Sequence, residues 1–214
     1  LCVISIYTIA RYGASAYLRR NYLQLLRLLR NNSPFIVLVL FLFAIVIKLP
    51  ALLHPQVPLQ VPGHYLYNYL LSIMAVVFGQ NGFWYTMLAV IMLFLQSLYI
   101  RNIVTRHKLF ARTSYVTSYV FLLLTSIYPQ FSSFGETLII NWLLAGAMDT
   151  MFSFTQTTQP RKLIYNAGFL LSLAAMFQFT VLTFFLLLLV GLVLFRPFNL
   201  GEWSVAMVGY ITPL

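Results

Sequence analysis

Only three carboxylates occur in the chain, Glu136, Asp149 and Glu202, against thirteen Lys and Arg and three histidines. Acid–base or metal chemistry therefore has few positions to stand on. His54 and His64 fall in one proline-rich stretch, and a neutral imidazole near working pH suits either as a general base. Glu136 stands just ahead of an apolar run, where a carboxylate also suits the positive end of a helix dipole. Its chemical alternative is a contact to a phosphate or a divalent metal. Hard cations gather several oxygen ligands, so one carboxylate alone is a poor metal site. His64 and Glu136 are thus the candidate catalytic residues, and Glu136 the candidate metal contact.

Asp149 falls inside an apolar run, where an ionised group needs a partner. Asn166 stands at similar depth on the next run and Lys162 could reach in from the interface, and a tie from Asp149 to one of them would join two helices. The competing reading, a proton or ion relay, needs more ionisable groups than the chain provides. Glu202 reads as a first-turn helix residue with Arg196 as its partner. No G-x-x-x-x-G-K-[ST], H-E-x-x-H or G-x-S-x-G motif occurs, so nucleotide hydrolysis, zincin proteolysis and triad hydrolysis have no support. A single cysteine, Cys2, excludes an internal disulfide or a cysteine-built zinc site.

The elements that position these residues follow from hydropathy and charge. The chain is 61% hydrophobic and 7% charged, where a soluble domain carries roughly a quarter charged residues. Its formal charge of +10 is concentrated beside apolar runs, the pattern of cytoplasmic loops, so it marks topology and no nucleic-acid partner is expected. Residues 1–33 read as a basic, amphipathic cytoplasmic segment at the headgroup boundary. Ser33 and Pro34 then open a span over 34–49. Residues 50–63 contain Pro50, Pro55, Pro58 and Pro62 and no charge, as an extracytoplasmic loop would.

Arg101, Arg106, Lys108 and Arg112 want the cytoplasm, so only one of the two preceding runs crosses. The reading takes 82–100 as the span and 65–78 as a surface or re-entrant helix on the outer face, with Tyr65, Tyr67, Tyr69 and Phe83, Trp84, Tyr85 as an aromatic belt. Further spans are expected over 114–128, 137–154, 163–179, 181–195 and 203–214, the last truncated. The break near Gln178 to Thr180 is required because 33 residues make roughly 50 Å of helix against a core of about 30 Å. Small residues, Ala145 to Ala147 and Ala167, Gly168, Ala174 and Ala175, offer faces for close helix packing. The expectation is an all-α polytopic transmembrane bundle of about seven spans, in a bacterial inner membrane, with a cytoplasmic N-terminus.

This order of spans, with Leu124 to Trp142 (Tyr128, Pro129, Glu136, Asn141) and Asn166 to Phe169 leading into Ala174 and Ala175, resembles the amino-terminal module of the GT-C superfamily. Those transferases take sugars from polyprenyl-phosphate carriers. From about Leu25 to Leu214, including Arg196 to Trp203, Gly209 and Pro213, the chain is also similar to a family of inner-membrane proteins of Bacteroidota from which no activity carries over. The GT-C resemblance implies a lipid-linked substrate at the outer face and Glu136 as the acid of the second outer loop. It also implies an Asp or Glu in the first outer loop, and residues 49–81 contain neither. Three functions stay open: a glycosyltransferase-like enzyme with His64 as substitute base and a divalent metal as its cofactor, a non-catalytic subunit or assembly factor that packs against other membrane subunits, and a transporter.

Overall fold

The structure is a computed structural model and describes residues 34–110, 114–157, 160–195 and 199–213. The amphipathic segment expected over 1–33, and Arg112 and Arg196, lie outside the described residues. Among the described residues there are nine α-helices and no strand. They are α1 Pro34–Ile47, α2 Leu49–Leu53, α3 Tyr65–Phe78, α4 Gly82–Arg106, α5 Val116–Ile127, α6 Glu136–Phe152, α7 Arg161–Phe177, α8 Phe185–Phe195 and α9 Leu200–Ile211.

α1 is apolar on every side, yet only the stripe Ile36, Leu40 and Ala44 is buried. These recur every fourth residue, the spacing of one helix face. Phe35, Leu38, Leu42 and Val46 stay exposed on the remaining surface. α1 gives way at Lys48 to the short α2, whose Pro50 sits in the first turn, where its missing N–H leaves no helix bond unmade.

α4 is the long central element. Asn81 caps it by accepting a hydrogen bond from the Phe83 amide at 3.2 Å, and it ends where Lys108 takes a left-handed φ of 51°. The expected span of 82–100 is thereby extended through Arg106, and Arg101 lies on the helix with its guanidinium 3.8 Å from the Tyr115 ring centroid. α6 runs parallel to α4. Gln96 donates to the Leu138 carbonyl at 2.8 Å, Tyr99 stacks on Trp142, and His107 meets Asp149, so partners advance together along both helices. α5 runs the opposite way between them, with Ser118 Oγ donating to the Ser97 carbonyl at 2.8 Å.

The long run after Lys162 breaks at Gln178, which is extended, and a 3₁₀ segment Phe179–Phe184 leads into α8. α7 carries the small face: Ala167, Ala174 and Gly168 are buried, with Gly168 against the backbone of α9. Two adjoining apolar clusters result. One gathers α1, α3, α4, α5, α6 and the end of α7; the other gathers α6 to α9.

Seven comparable spans were expected, but among the described residues one helix, Gly82–Arg106, is long and apolar enough to cross a bilayer. Phe35–Ile47, Tyr65–Phe78, Val116–Ile127 and Phe179–Phe195 are apolar but shorter. A helix of 14 residues rises roughly 21 Å, short of a hydrocarbon core of about 30 Å. The helices end where the sequence already broke the runs, before Lys48 and Pro50, before Pro129 and before Gln178, so the segments between these breaks stay short.

A candidate acid–base site and its polar neighbours

The parallel course of α4 and α6 brings the segments 48–64, 79–81 and 128–135 to one end of the bundle, and 107–110, 114–115 and 153–157 to the other. His64 lies at the first end, immediately before α3. The strand of chain leading to it is tied down by Asn68, whose side chain accepts from the Val61 amide at 3.0 Å and donates to the Val61 carbonyl at 2.8 Å. Glu136 opens α6 after Gly135. His64 Nδ1 is in direct contact with Glu136 Oε2. Two residues separated by 72 positions thus form a dyad, their side chains 24% and 18% exposed.

The chemistry of the pair follows from donor counting. An ionised carboxylate only accepts, so the proton of the contact sits on Nδ1, and a neutral imidazole then carries its lone pair on Nε2. The result is an oriented base. Of the pair it is Glu136 that lines a cleft of about 220 Å³, together with Leu59, Val61, Tyr67, Gln130 and Ser133, and His64 stands behind it. Tyr67 stands one turn beyond His64, buried, with its hydroxyl donating to the Phe134 carbonyl at 3.4 Å. Burial, then the Glu136 charge, then Tyr85, push its phenol up to about 12. Tyr67 therefore stays neutral and serves as wall and donor.

As a metal centre the dyad offers two donors. Among the described residues no group of three or more His, Cys, Asp and Glu comes together, which falls short of the shell a hard cation collects.

A second cavity, of about 310 Å³, opens across the 128–135 segment, and Ser133 lines both. His54, Gln56, Thr86 and Ser132 face it. Against its wall lies Lys48, 5% exposed, donating to the Thr125 carbonyl at 3.3 Å and to Ser132 Oγ at 3.2 Å. Among the described residues Lys48 has no carboxylate partner. Sequence reasoning passed over it. The signal was there, since a lone lysine beside an uncharged proline-rich loop runs against the pattern that places cations with the other basic loops.

At the far end, Asp149 is held by α4. It accepts from Arg106 at 3.1 Å and from the Tyr99 hydroxyl at 3.3 Å, and its Oδ1 is 2.8 Å from His107 Nε2. The expected partners on α7 are elsewhere: Asn166 and Lys162 are exposed, and neither shares a hydrogen bond with Asp149 among the described residues. The reason is helix phase. Ile164, Ala167 and Leu171 form the buried stripe of α7, and Asn166 projects off it. Glu202 is buried in the first turn of α9, and its expected partner Arg196 lies outside the described residues.

In comparisons with protein-family models, curated proteins and solved structures, the chain matches none.

Proposed function

We propose that the chain is an integral protein of a bacterial inner membrane, built on a GT-C-like scaffold, whose His64–Glu136 dyad acts as a general base on a lipid-linked sugar at the outer face. The single observation that carries this reading is the contact of His64 Nδ1 with Glu136, which itself lines a cleft. In the step proposed, Nε2 removes the proton of an acceptor hydroxyl as its oxygen bonds to the anomeric carbon. The bond from that carbon to the carrier phosphate breaks, and the phosphate leaves with the electron pair. Glu136 stabilises the imidazolium that forms. The charge of the dyad changes hands within the chain's own residues, and no metal is needed to write the step.

The membrane reading draws on surface chemistry as well as on α4. Exposed apolar side chains such as Leu38, Val46, Val76, Val120, Val190 and Val193 extend over α1, α3, α5 and α8. A patch of that extent is a liability in water and ordinary in lipid. Tyr65, Tyr69, Phe83 and Trp84 are exposed at the His64 end, as residues of a headgroup belt would be.

A second reading, a non-catalytic subunit or assembly factor of a larger envelope complex, is favoured by the lack of any Asp or Glu over residues 49–81. Glu136→Gln and His64→Gln separate the two. The catalytic reading expects both variants, at normal protein level, to change the glycan or lipid profile of the producing cells as a deletion does. Unchanged profiles would leave the subunit reading standing.

A further inference from the structure

We infer that the cavity beside Lys48 is a binding site for a phosphate group, distinct from the His64–Glu136 cleft. The buried ammonium has three N–H donors, and both acceptors it meets, the Thr125 carbonyl and Ser132 Oγ, are neutral. A cation placed out of water against neutral dipoles carries a desolvation penalty that a carboxylate would normally offset. Among the described residues no Asp or Glu lines this cavity.

The lining is instead rich in groups that donate. Ser132 and Ser133 present hydroxyls, Gln56 an amide and His54 an imidazole, whereas the Thr86 hydroxyl is given to the Gly82 carbonyl. Ser132 links this set to Lys48, because its Oγ accepts from the ammonium behind the cavity wall while its own O–H is left to donate to an anion that enters. Several donors on one wall with a fixed positive charge directly behind it suit a tetrahedral oxyanion, lysine acting as the point charge through Ser132. Pro50 and Pro129 frame the opening and hold the two chain segments that bear His54 and Ser132 in fixed courses. The shared chemistry is a phosphate group, reached either as free phosphate or as the headgroup of a phospholipid.

The test uses the full chain purified in detergent and follows its thermal unfolding while inorganic phosphate, phosphatidic acid or, as the phosphate-free lipid, diacylglycerol is titrated. A rise with inorganic phosphate identifies the free anion as a ligand, and a rise with phosphatidic acid alone identifies a lipid headgroup. In either case Lys48→Met is expected to raise the half-saturating concentration about tenfold, the loss of the positive charge that backs Ser132. His64→Ala should leave it unchanged. Should Lys48→Met not fold, the double variant Ser132→Ala with Ser133→Ala takes its place and should weaken the response in the same direction. Absence of any response in the unmodified chain, an equal response to diacylglycerol, or a response that survives Lys48→Met or disappears in His64→Ala would each overturn the assignment.

Discussion

His107 at the end of α4 and Asp149 near the end of α6 lock two parallel helices together, with imidazole Nε2 2.8 Å from the carboxylate and the histidine side chain only 2% exposed. Arg106 reaches the same carboxylate from a position that is more than half exposed. Burial ranks the two contacts. A hydrogen-bonded pair out of water depends on both members, whereas an exposed arginine contributes little.

Asp149→Ala should therefore cost about 2–3 kcal/mol of stability, because it removes the carboxylate that accepts from the Tyr99 hydroxyl and meets the buried His107 ring. Arg106→Ala should cost about 1 kcal/mol or less. Denaturant unfolding of the two variants in detergent checks the order, and an Arg106 variant as damaging as Asp149→Ala would contradict the ranking by burial.

The approach of α7 to α9 leaves no room for a methyl group. A Cβ on Gly209 would lie 2.6 Å from the Tyr165 carbonyl oxygen, and one on Gly168 would lie 2.9 Å from that of Ala206. Both obstacles are backbone and cannot rotate away. Gly209→Ala and Gly168→Ala are expected to destabilise by about 1–3 kcal/mol each, through separation of the helices. Gly146→Ala, which would meet only the Leu170 side chain at 3.4 Å, is the control and should be near neutral. Thermal unfolding of the three variants reads the difference.

Tyr67 ties stability to alkaline pH. Its phenol ionises at about 12 in the folded chain and near 10 when unfolded. Between those values the unfolded state has released a proton that the folded state keeps, so the stability present below about pH 10 falls as pH rises toward 12. Tyr67→Phe should remove this part of the decline. It should also delete one late-ionising tyrosine from the ultraviolet titration, and Glu136→Gln should shift that tyrosine to lower pH.

The orientation proposed for the membrane is open to labelling. In a chain whose Cys2 is replaced by serine, Gln60→Cys should react in intact cells with a thiol reagent that cannot cross the membrane, and Lys108→Cys should react only after lysis. Gln60 and Lys108 are both exposed in the fold, so access to the reagent reports sidedness. The reverse pattern would invert the topology and remove the outer-face reading of the dyad.

Composition and local chemistry made the all-helical architecture legible, because apolar runs between prolines and polar breaks admit little else. The same features named His64 and Glu136 as the residues worth watching, and located the interruption at Gln178. Helix length and helix neighbours were decided in three dimensions. α4 continues through Arg106 because its last turns pack on α5 and α6, and the basic residues there find Tyr115 and Asp149, contacts that no local pattern encodes.

Pairing shows the division most clearly. Depth along the chain offered Asp149 the partners Asn166 and Lys162, and depth alone did not reveal Arg106 and His107, which reach it instead. The phase of α7, set by burial of Ile164, Ala167 and Leu171, turns Asn166 outward and leaves the choice to α4. Likewise His64 and Glu136 stand 72 residues apart, and only the parallel packing of α4 and α6, with Asn68 holding the chain before α3, brings imidazole and carboxylate together. Side-chain type is a property of each residue, but which two side chains meet is a property of packing, and packing is a sum over contacts distant in the chain.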